Sequence, residues 1–289
     1  MNDRPLQEYR LDLGGNIIGF HCYPPPFAGA LEHWFDRPSS SAAPHIDIEL
    51  ELVPHEEILN LPNTLLKTKT LTQEGGFDIA EGLFRGDFDP VSRRGHIAVK
   101  AVLARGQLMR VMEQIFYQAF FSARTVSGID CALIHSSAVI AGGKGFLFVG
   151  PSEAGKTTAA LNSRQHLVLG DEMNLVHFTD TGLVLEGTPF NGTFREKKPG
   201  KAPLEAVFLL NQAGRHSIVP IGSAEAASIL AGEIVPPVGL DEVPTPSTVP
   251  AMVDAAARII DSVPASRLDL LPDPGFWPVI AREFNLDLP

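Results

Sequence analysis

From His45 to Val53 the run HIDIELELV alternates apolar with acidic side chains. A period of two places the apolar set on one face and the carboxylates on the other, which predicts a strand with one wet face. Ile and Val enrichment predicts a second strand over His96–Ala104. Between Arg105 and Arg124 the period changes: Leu108, Val111, Met112, Ile115, Phe116, Ala119, Phe120 and Ala123 recur at steps of three and four. Such a stripe lines one face of a helix and docks it on a sheet. It is ascribed to packing and assigned no chemistry.

Beyond Arg124 short apolar runs follow one another closely. Strands are predicted over Cys131–Ala141 and Gly145–Val149, joined by the turn Gly142-Gly143-Lys144, and a helix over Lys156–Asn162. Further strands fall at His166–Leu169, Met173–Phe178, Gly182–Leu185 and Ala206–Leu210. Helices are expected over Ser223–Ala231, with Ser223 as N-cap, and over Ala251–Val263. Loops are marked by Pro24-Pro25-Pro26, Ser39-Ser40-Ser41 and Gly75-Gly76, and five prolines between Pro236 and Pro250 mark an irregular connection. The pattern divides the chain into a β-rich N-terminal region, 1–102, packed on a core, 103–289, that carries the C-terminal helices. No internal repeat is visible.

Composition narrows the function classes. Hydrophobic residues make up 44% of the 289 and charged residues 20%, enough apolar material for a large core. The formal charge of -11, with no local Lys/Arg cluster, opposes the counterion release that drives nucleic-acid binding. No nucleic-acid partner is expected. Cys22 and Cys131 lack metal-type spacing, which speaks against zinc and for a reducing compartment. Asp3, Arg4, Glu8, Arg10 and Asp12 stand where a secretion signal would need an apolar run. Apolar runs such as Gly145–Val149 fall far short of the roughly 20 residues that cross a bilayer. These features predict a cytoplasmic protein with no membrane partner.

The candidate chemistry sits after the second of the paired strands. Gly150-Pro151-Ser152-Glu153-Ala154-Gly155-Lys156-Thr157 fits G-x-x-x-x-G-K-[ST] at every fixed position, and Thr158 follows. A phosphate chain carries several negative charges. A loop that holds it must bring main-chain N–H groups against its oxygens and set a helix start beneath them, and glycines permit that approach. Lys156 would reach the β and γ phosphates, and the Thr157 hydroxyl would be one ligand of a Mg²⁺ ion. About fifteen residues on, Asp171 and Glu172 end a short predicted strand, where ligands gather in open α/β sheets. Two carboxylates suit two tasks, one supporting the metal and one accepting the proton of an attacking hydroxyl; solvated turn carboxylates are the alternative. His135, within the apolar run CALIHSSAVIA, reads from spacing alone as a core histidine or as a site residue.

Together, Leu133-Ile-His135-Ser-Ser-Ala-Val, the Gly-Gly-Lys-Gly turn, the glycine–lysine loop, Leu167-Val-Leu-Gly-Asp171-Glu172 and Gly187-Thr-Pro-Phe190-Asn-Gly192 resemble the catalytic core of the HPr kinase/phosphorylase family, in particular its smaller relatives. The resemblance covers roughly Leu103 to Leu210. It implies an α/β fold with a P-loop core shared with phosphoenolpyruvate carboxykinases, in which helices flank mixed β-sheets. It also implies ATP- and Mg²⁺-dependent phosphorylation of a serine hydroxyl on a peptide or small protein. By position, Asp171 would be the base for the acceptor hydroxyl, Glu172 the second acid near metal and loop, and His135 the histidine that lines the site. The basic run Thr193-Phe-Arg195-Glu-Lys197-Lys198 could supply a cation to the phosphoryl group, with Arg195 the candidate. Two positions depart from the family pattern: Glu153 replaces a loop glycine, and Asp171-Glu172 replaces paired aspartates. A nucleotide-binding scaffold without transfer chemistry, favoured by Glu153, and a kinase of a small metabolite remain the alternatives. Both monomer and homo-oligomer stay open.

Overall fold

A computed structural model describes residues 6–54, 68–71, 76–80, 83–101, 105–190, 192–236 and 248–287, without the side chains of 68–71, 79–80 and 105–110. It divides into two compact units, Met1–Ile129 with Pro237–Gly239, and Asp130–Pro236 with Leu240–Pro289. Several expected features lie outside the described residues. They are the last three positions of the strand expected to end at Ala104, Gly75, Asn191, and Pro237, Pro244 and Pro246 of the proline-rich connection; the side chain of Leu108 is likewise not described.

The first unit holds β1 (Gln7–Leu13), β2 (Asn16–Tyr23), α1 (Pro26–Phe35), β3 (Ile46–Val53), β4 (Thr68–Leu71), β5 (Phe77–Ala80), β6 (Phe84–Asp89), β7 (Arg94–Lys100) and α2 (Arg105–Ser127). Its seven strands form one sheet in the order β1-β2-β3-β7-β6-β5-β4. The alternating run is β3: Ile46, Ile48 and Leu50 are buried, while Asp47, Glu49 and Glu51 lie on the other face. The stripe on α2 is buried as expected from Val111 to Ala123. Its Phe116 meets Phe20 and Phe35 edge-on, with ring centroids 5.1 and 4.6 Å apart. The strands β1 and β2 and the helix α1 were not assigned from the sequence, although Tyr9, Leu11 and Leu13 of β1 alternate with polar residues and are buried.

The second unit holds β8 (Cys131–His135), β9 (Ser137–Ala141), β10 (Lys144–Val149), α3 (Lys156–Leu161), β11 (Leu167–Gly170), β12 (Met173–Thr179), β13 (Gly182–Gly187), β14 (Lys201–Gln212), β15 (Ser217–Pro220), α4 (Ser223–Glu233), α5 (Val249–Ser262), β16 (Ala265–Leu270) and α6 (Phe276–Phe284). Seven of the nine strands run in the order β11-β9-β10-β14-β13-β12-β8, and β16 pairs with both β14 and β15. The long strand β14 is the spine. Its first residues pair antiparallel with β13, and the rest lies parallel between β10 and β16. The sheet is therefore mixed and curls along β14.

Both faces of this sheet are covered, which is why Gly145–Val149 of β10 and Ala206–Leu210 of β14 read as unbroken apolar runs. Leu147 and Val149 of β10 and Val207 and Leu209 of β14 pack on one side with Leu230 of α4 and Met252, Ala256 and Ile259 of α5. Phe146, Phe148, Phe208 and Leu210 pack on the other with Ala159 and Ala160 of α3 and Phe276, Trp277 and Ile280 of α6. Arg258 of α5 stacks over Phe178 at 3.8 Å and pairs with Asp130 at 2.6 Å, fastening the rim.

Two expectations need correction. The run Cys131–Ala141 is two strands, because its halves serve different neighbours: β8 pairs with β12, and β9 pairs with β10 and β11. The break at Ser136 is held by its N–H donating to the Glu172 carbonyl at 3.0 Å and by Asn174 Nδ2 donating to its carbonyl at 2.8 Å. Ser223 is the first residue of α4 and not its cap. Gly222 takes that position with extended backbone and no side-chain cap. Among the described residues, no helix is long and apolar enough to cross a membrane.

Candidate functional site

The site grows from the end of β10. Chain direction must reverse there into α3, and the turn uses backbone that favours glycine. Gly150 has φ 155° and Gly155 has φ 113°. A Cβ on Gly150 would meet the Ala154 Cβ at 2.8 Å, so the loop closes only without a side chain there. The loop is braced by the Ala154 N–H donating to the Pro151 carbonyl at 3.1 Å and by Gln212 Nε2 donating to the Glu153 carbonyl at 2.6 Å. Among the described residues, the amides of Ser152, Gly155, Lys156 and Thr157 have no hydrogen-bond acceptor.

Glu153 also has a positive φ, 69°, in the left-handed region that L side chains adopt at a cost of about 1–2 kcal/mol. Its side chain is exposed, as are Pro151 and Ser152. Water and salt therefore screen its charge from the interior of the loop. Glu153→Gly is expected to raise stability by about 0.5–1 kcal/mol, because relief of the left-handed strain exceeds the added entropy of the unfolded chain. Urea midpoints of the two proteins check this. An unchanged or lower midpoint would mean that the Glu153 side chain makes a compensating contact.

Lys156 opens α3 and is buried, 8% exposed. Its ammonium donates to the carbonyls of Gly150 and Pro151 and lies 3.5 Å from Glu233 Oε2. One residue on, Thr157 Oγ1 donates to Asp171 Oδ2 at 2.9 Å. That single bond links the loop to the acid pair after β11. Asp171 is 3% exposed, and the same Oδ2 also accepts the N–H groups of Thr193 and Phe194 at 3.2 and 3.0 Å. Its Oδ1 is buried with no donor among the described residues. Oδ1 lies over Gly192, where a Cβ would approach it to 2.3 Å, so Gly192, Thr193 and Phe194 can close on the carboxylate only because position 192 is glycine. Thr158 and Ala154 are half-buried beside these groups.

Glu172 is half-buried. Burial pushes its carboxyl above the usual carboxylate range, and the neighbouring Asp171 adds to this, while His135, Lys156 and Lys197 pull it back. His135 stands at the β8–β9 break with Nδ1 3.2 Å from Glu233 Oε2. Glu233 thus faces both His135 and Lys156 from the last residue of α4. The main chain holds it there, through the bridge between Ile134 and Ile234 and the Val235 N–H donating to the Leu133 carbonyl at 2.9 Å.

Lys156, Thr157, Asp171, Glu172 and His135 are therefore brought into one neighbourhood at the ends of β8, β10 and β11. Arg195 is not: it is exposed and makes no hydrogen bond or ion pair among the described residues. The cation that its segment sends inward is Lys197, whose ammonium donates to the carbonyls of Thr188 and Phe190. Glu233 escaped the sequence reading, and Lys197 was named there only as part of the basic run whose candidate was Arg195. Glu233 lies more than sixty residues past the acid pair with no motif spacing, and Lys197 differs from its basic neighbours only in burial.

The chemistry of this donor set fits a magnesium–polyphosphate complex. Mg²⁺ takes one or two carboxylates and a hydroxyl and fills its remaining positions with phosphate oxygens and water. Thr157 and Asp171 are already in contact, and the buried Asp171 carboxylate has an oxygen without a donor. Elsewhere, Glu8, His21 and Asp47 bring three metal-ligating atoms within 4.8 Å of one another, but Glu8 is engaged by Arg10 through both oxygens.

Residues 102–285 match the model of a family described as SynChlorMet cassette protein ScmC. No curated protein matches. Among solved structures, the chain is similar to the Hpr(Ser) kinase/phosphatase from Coxiella burnetii, with 10% identity over 53% of this chain and 95% of that one and a TM-score of 0.31.

Proposed function

The chain belongs to the SynChlorMet cassette protein ScmC family, and from that premise together with the site we propose that it is an ATP-dependent phosphotransferase, moving the γ-phosphoryl group to a serine hydroxyl of a peptide or small protein. The observation that carries the reading is the bond from Thr157 to Asp171, next to a buried Lys156. It sets a glycine loop with free amides, an ammonium and two carboxylates around one space. Those are the parts that phosphoryl transfer needs, since catalysis there is mainly positioning and charge neutralisation.

In this reading the amides of Ser152, Gly155, Lys156 and Thr157 take the phosphate oxygens, and Lys156 exchanges its carbonyl partners for the β and γ phosphates. A bound magnesium ion supplies charge neutralisation between those phosphates. The exposure of Glu153 removes the main reason to treat the loop as defective. Lys197, not Arg195, is the second cation beside the acids.

Calorimetry with Mg-ATP, followed by incubation with γ-labelled ATP and serine-containing peptides, tests the proposal. Saturable heat that tripolyphosphate competes away, together with label on a peptide serine, is expected. No heat and no competition would refute nucleotide binding. Binding without transfer to any peptide would favour the scaffold reading, and label on a small metabolite would favour a metabolite kinase.

A further inference from the structure

Asp171 and Glu172 are adjacent in sequence but not alike in surroundings. The Asp171 carboxylate is closed in. Oδ2 accepts three hydrogen bonds, from Thr157 Oγ1 and the amides of Thr193 and Phe194, and Oδ1 is buried over Gly192 with no donor among the described residues. With 3% of the residue exposed, this group cannot swing out to meet the hydroxyl of a peptide. A general base must come within hydrogen-bond reach of the proton it takes, or within one water of it. Asp171 does touch the hydroxyl beside the loop lysine. In glycine–lysine loops that hydroxyl serves the metal together with a strand-end aspartate.

Glu172 has the opposite character. It is half-buried, and among the described residues its carboxylate accepts no hydrogen bond. Its carbonyl accepts the Ser136 N–H, which places it at the β8–β9 break next to His135. The groups that pull its carboxyl back towards the usual range are His135, Lys156 and Lys197. A half-buried carboxylate that accepts no hydrogen bond among the described residues, beside the groups expected to hold the phosphates, can reach an incoming hydroxyl.

We propose that the two acids divide their tasks in the sense opposite to the one the family resemblance implies: Asp171, with Thr157, holds the magnesium of Mg-ATP, and Glu172 takes the proton of the acceptor hydroxyl. This rests on the phosphotransferase reading. In the step, the serine oxygen forms a bond to the γ-phosphorus as the bond from that phosphorus to the β,γ-bridging oxygen breaks. The electron pair leaves with ADP, and the hydroxyl proton passes to a Glu172 oxygen.

The test compares Asp171→Asn, Thr157→Val and Glu172→Gln in the full chain. ATP titrations with and without Mg²⁺ measure the metal-dependent gain in affinity, and electron paramagnetic resonance of Mn²⁺ counts bound metal in the presence of ATP. Asp171→Asn and Thr157→Val are expected to lose at least about tenfold of the metal-dependent gain. Glu172→Gln should bind Mn²⁺ and Mg-ATP within about threefold of the wild type yet transfer phosphate at least about a hundredfold more slowly, to peptide or to water. Thr157→Ser, which keeps the hydroxyl, should restore metal binding. Should Asp171→Asn fail to fold by circular dichroism, Thr157→Val carries the comparison. Loss of Mn²⁺ in Glu172→Gln with retention in Asp171→Asn, or equal loss in both, overturns the division while leaving the phosphotransferase intact. A wild-type protein that binds no ATP under either condition overturns the underlying reading instead.

Discussion

Replacing Lys156 by methionine is expected to weaken Mg-ATP binding by at least about a hundredfold. The change keeps the chain length and apolar stem and deletes only the charge. A hydrogen bond to a charged group contributes about 1.5–3 kcal/mol, and a hundredfold loss corresponds to about 2.7 kcal/mol, so losing contacts to two phosphates suffices. Folding should suffer less. Glu233 loses Lys156 but keeps His135 Nδ1 at 3.2 Å, and the Gly150 and Pro151 carbonyls lose a donor. Because a ligand that binds only the folded state raises its stability, thermal midpoints with and without Mg-ATP give the measurement. The wild type should be stabilised by nucleotide and Lys156→Met should not. A variant that retains nucleotide affinity within threefold would remove the lysine from the site.

The largest expected loss of stability lies on the face of the sheet that the helix opened by Lys156 covers. Trp277 is 1% exposed and stands edge-on to Phe146 and Phe148 with centroids 6.0 and 6.1 Å away. Its Nε1 donates to Ser163 Oγ at 2.9 Å, just beyond the end of α3, so it fastens α6 to the helix that Lys156 opens. Trp277→Ala should cost about 3–5 kcal/mol, the range for emptying a large aromatic site. Trp277→Phe should cost clearly less, since it keeps most of the buried area and gives up chiefly the hydrogen bond, at about 1 kcal/mol. Urea unfolding of the two variants separates these contributions. Equal midpoints for them would show that the indole N–H, and not the ring volume, is what the site requires.

The pattern along the chain was informative where burial on one or two faces imposes a period. The strand over Ile46–Val53, the helix with its stripe at Val111–Ala123 and the unbroken apolar strands β10 and β14 were all legible for that reason. Several short elements were not. Strands β15 and β16 and helix α6 went unassigned, although Trp277 and Phe276 of α6 fill the core. The split at Ser136 was invisible because both halves are equally apolar, and only their different partners separate them.

For the candidate site, the local motif was sufficient to name the loop, Lys156 and Thr157, because a tight turn that leaves amides free constrains residue types within a few positions. The acid pair was also legible, from its place after a strand. Its two environments were not: which carboxylate is sealed by Thr157, Gly192 and the amides of Thr193 and Phe194 depends on a segment some twenty residues further on.

By itself, then, the sequence located the elements with a clear period and the residue pattern of the loop, since these follow from side-chain period and from backbone freedom within a short stretch. The tertiary structure alone decided that Glu233 stands between His135 and Lys156, that Lys197 turns inward while Arg195 faces water, and that Asp171 is closed in beside an open Glu172. Those outcomes depend on packing between segments far apart in the chain, where burial and hydrogen-bond partners are set by the fold and leave no spacing to read.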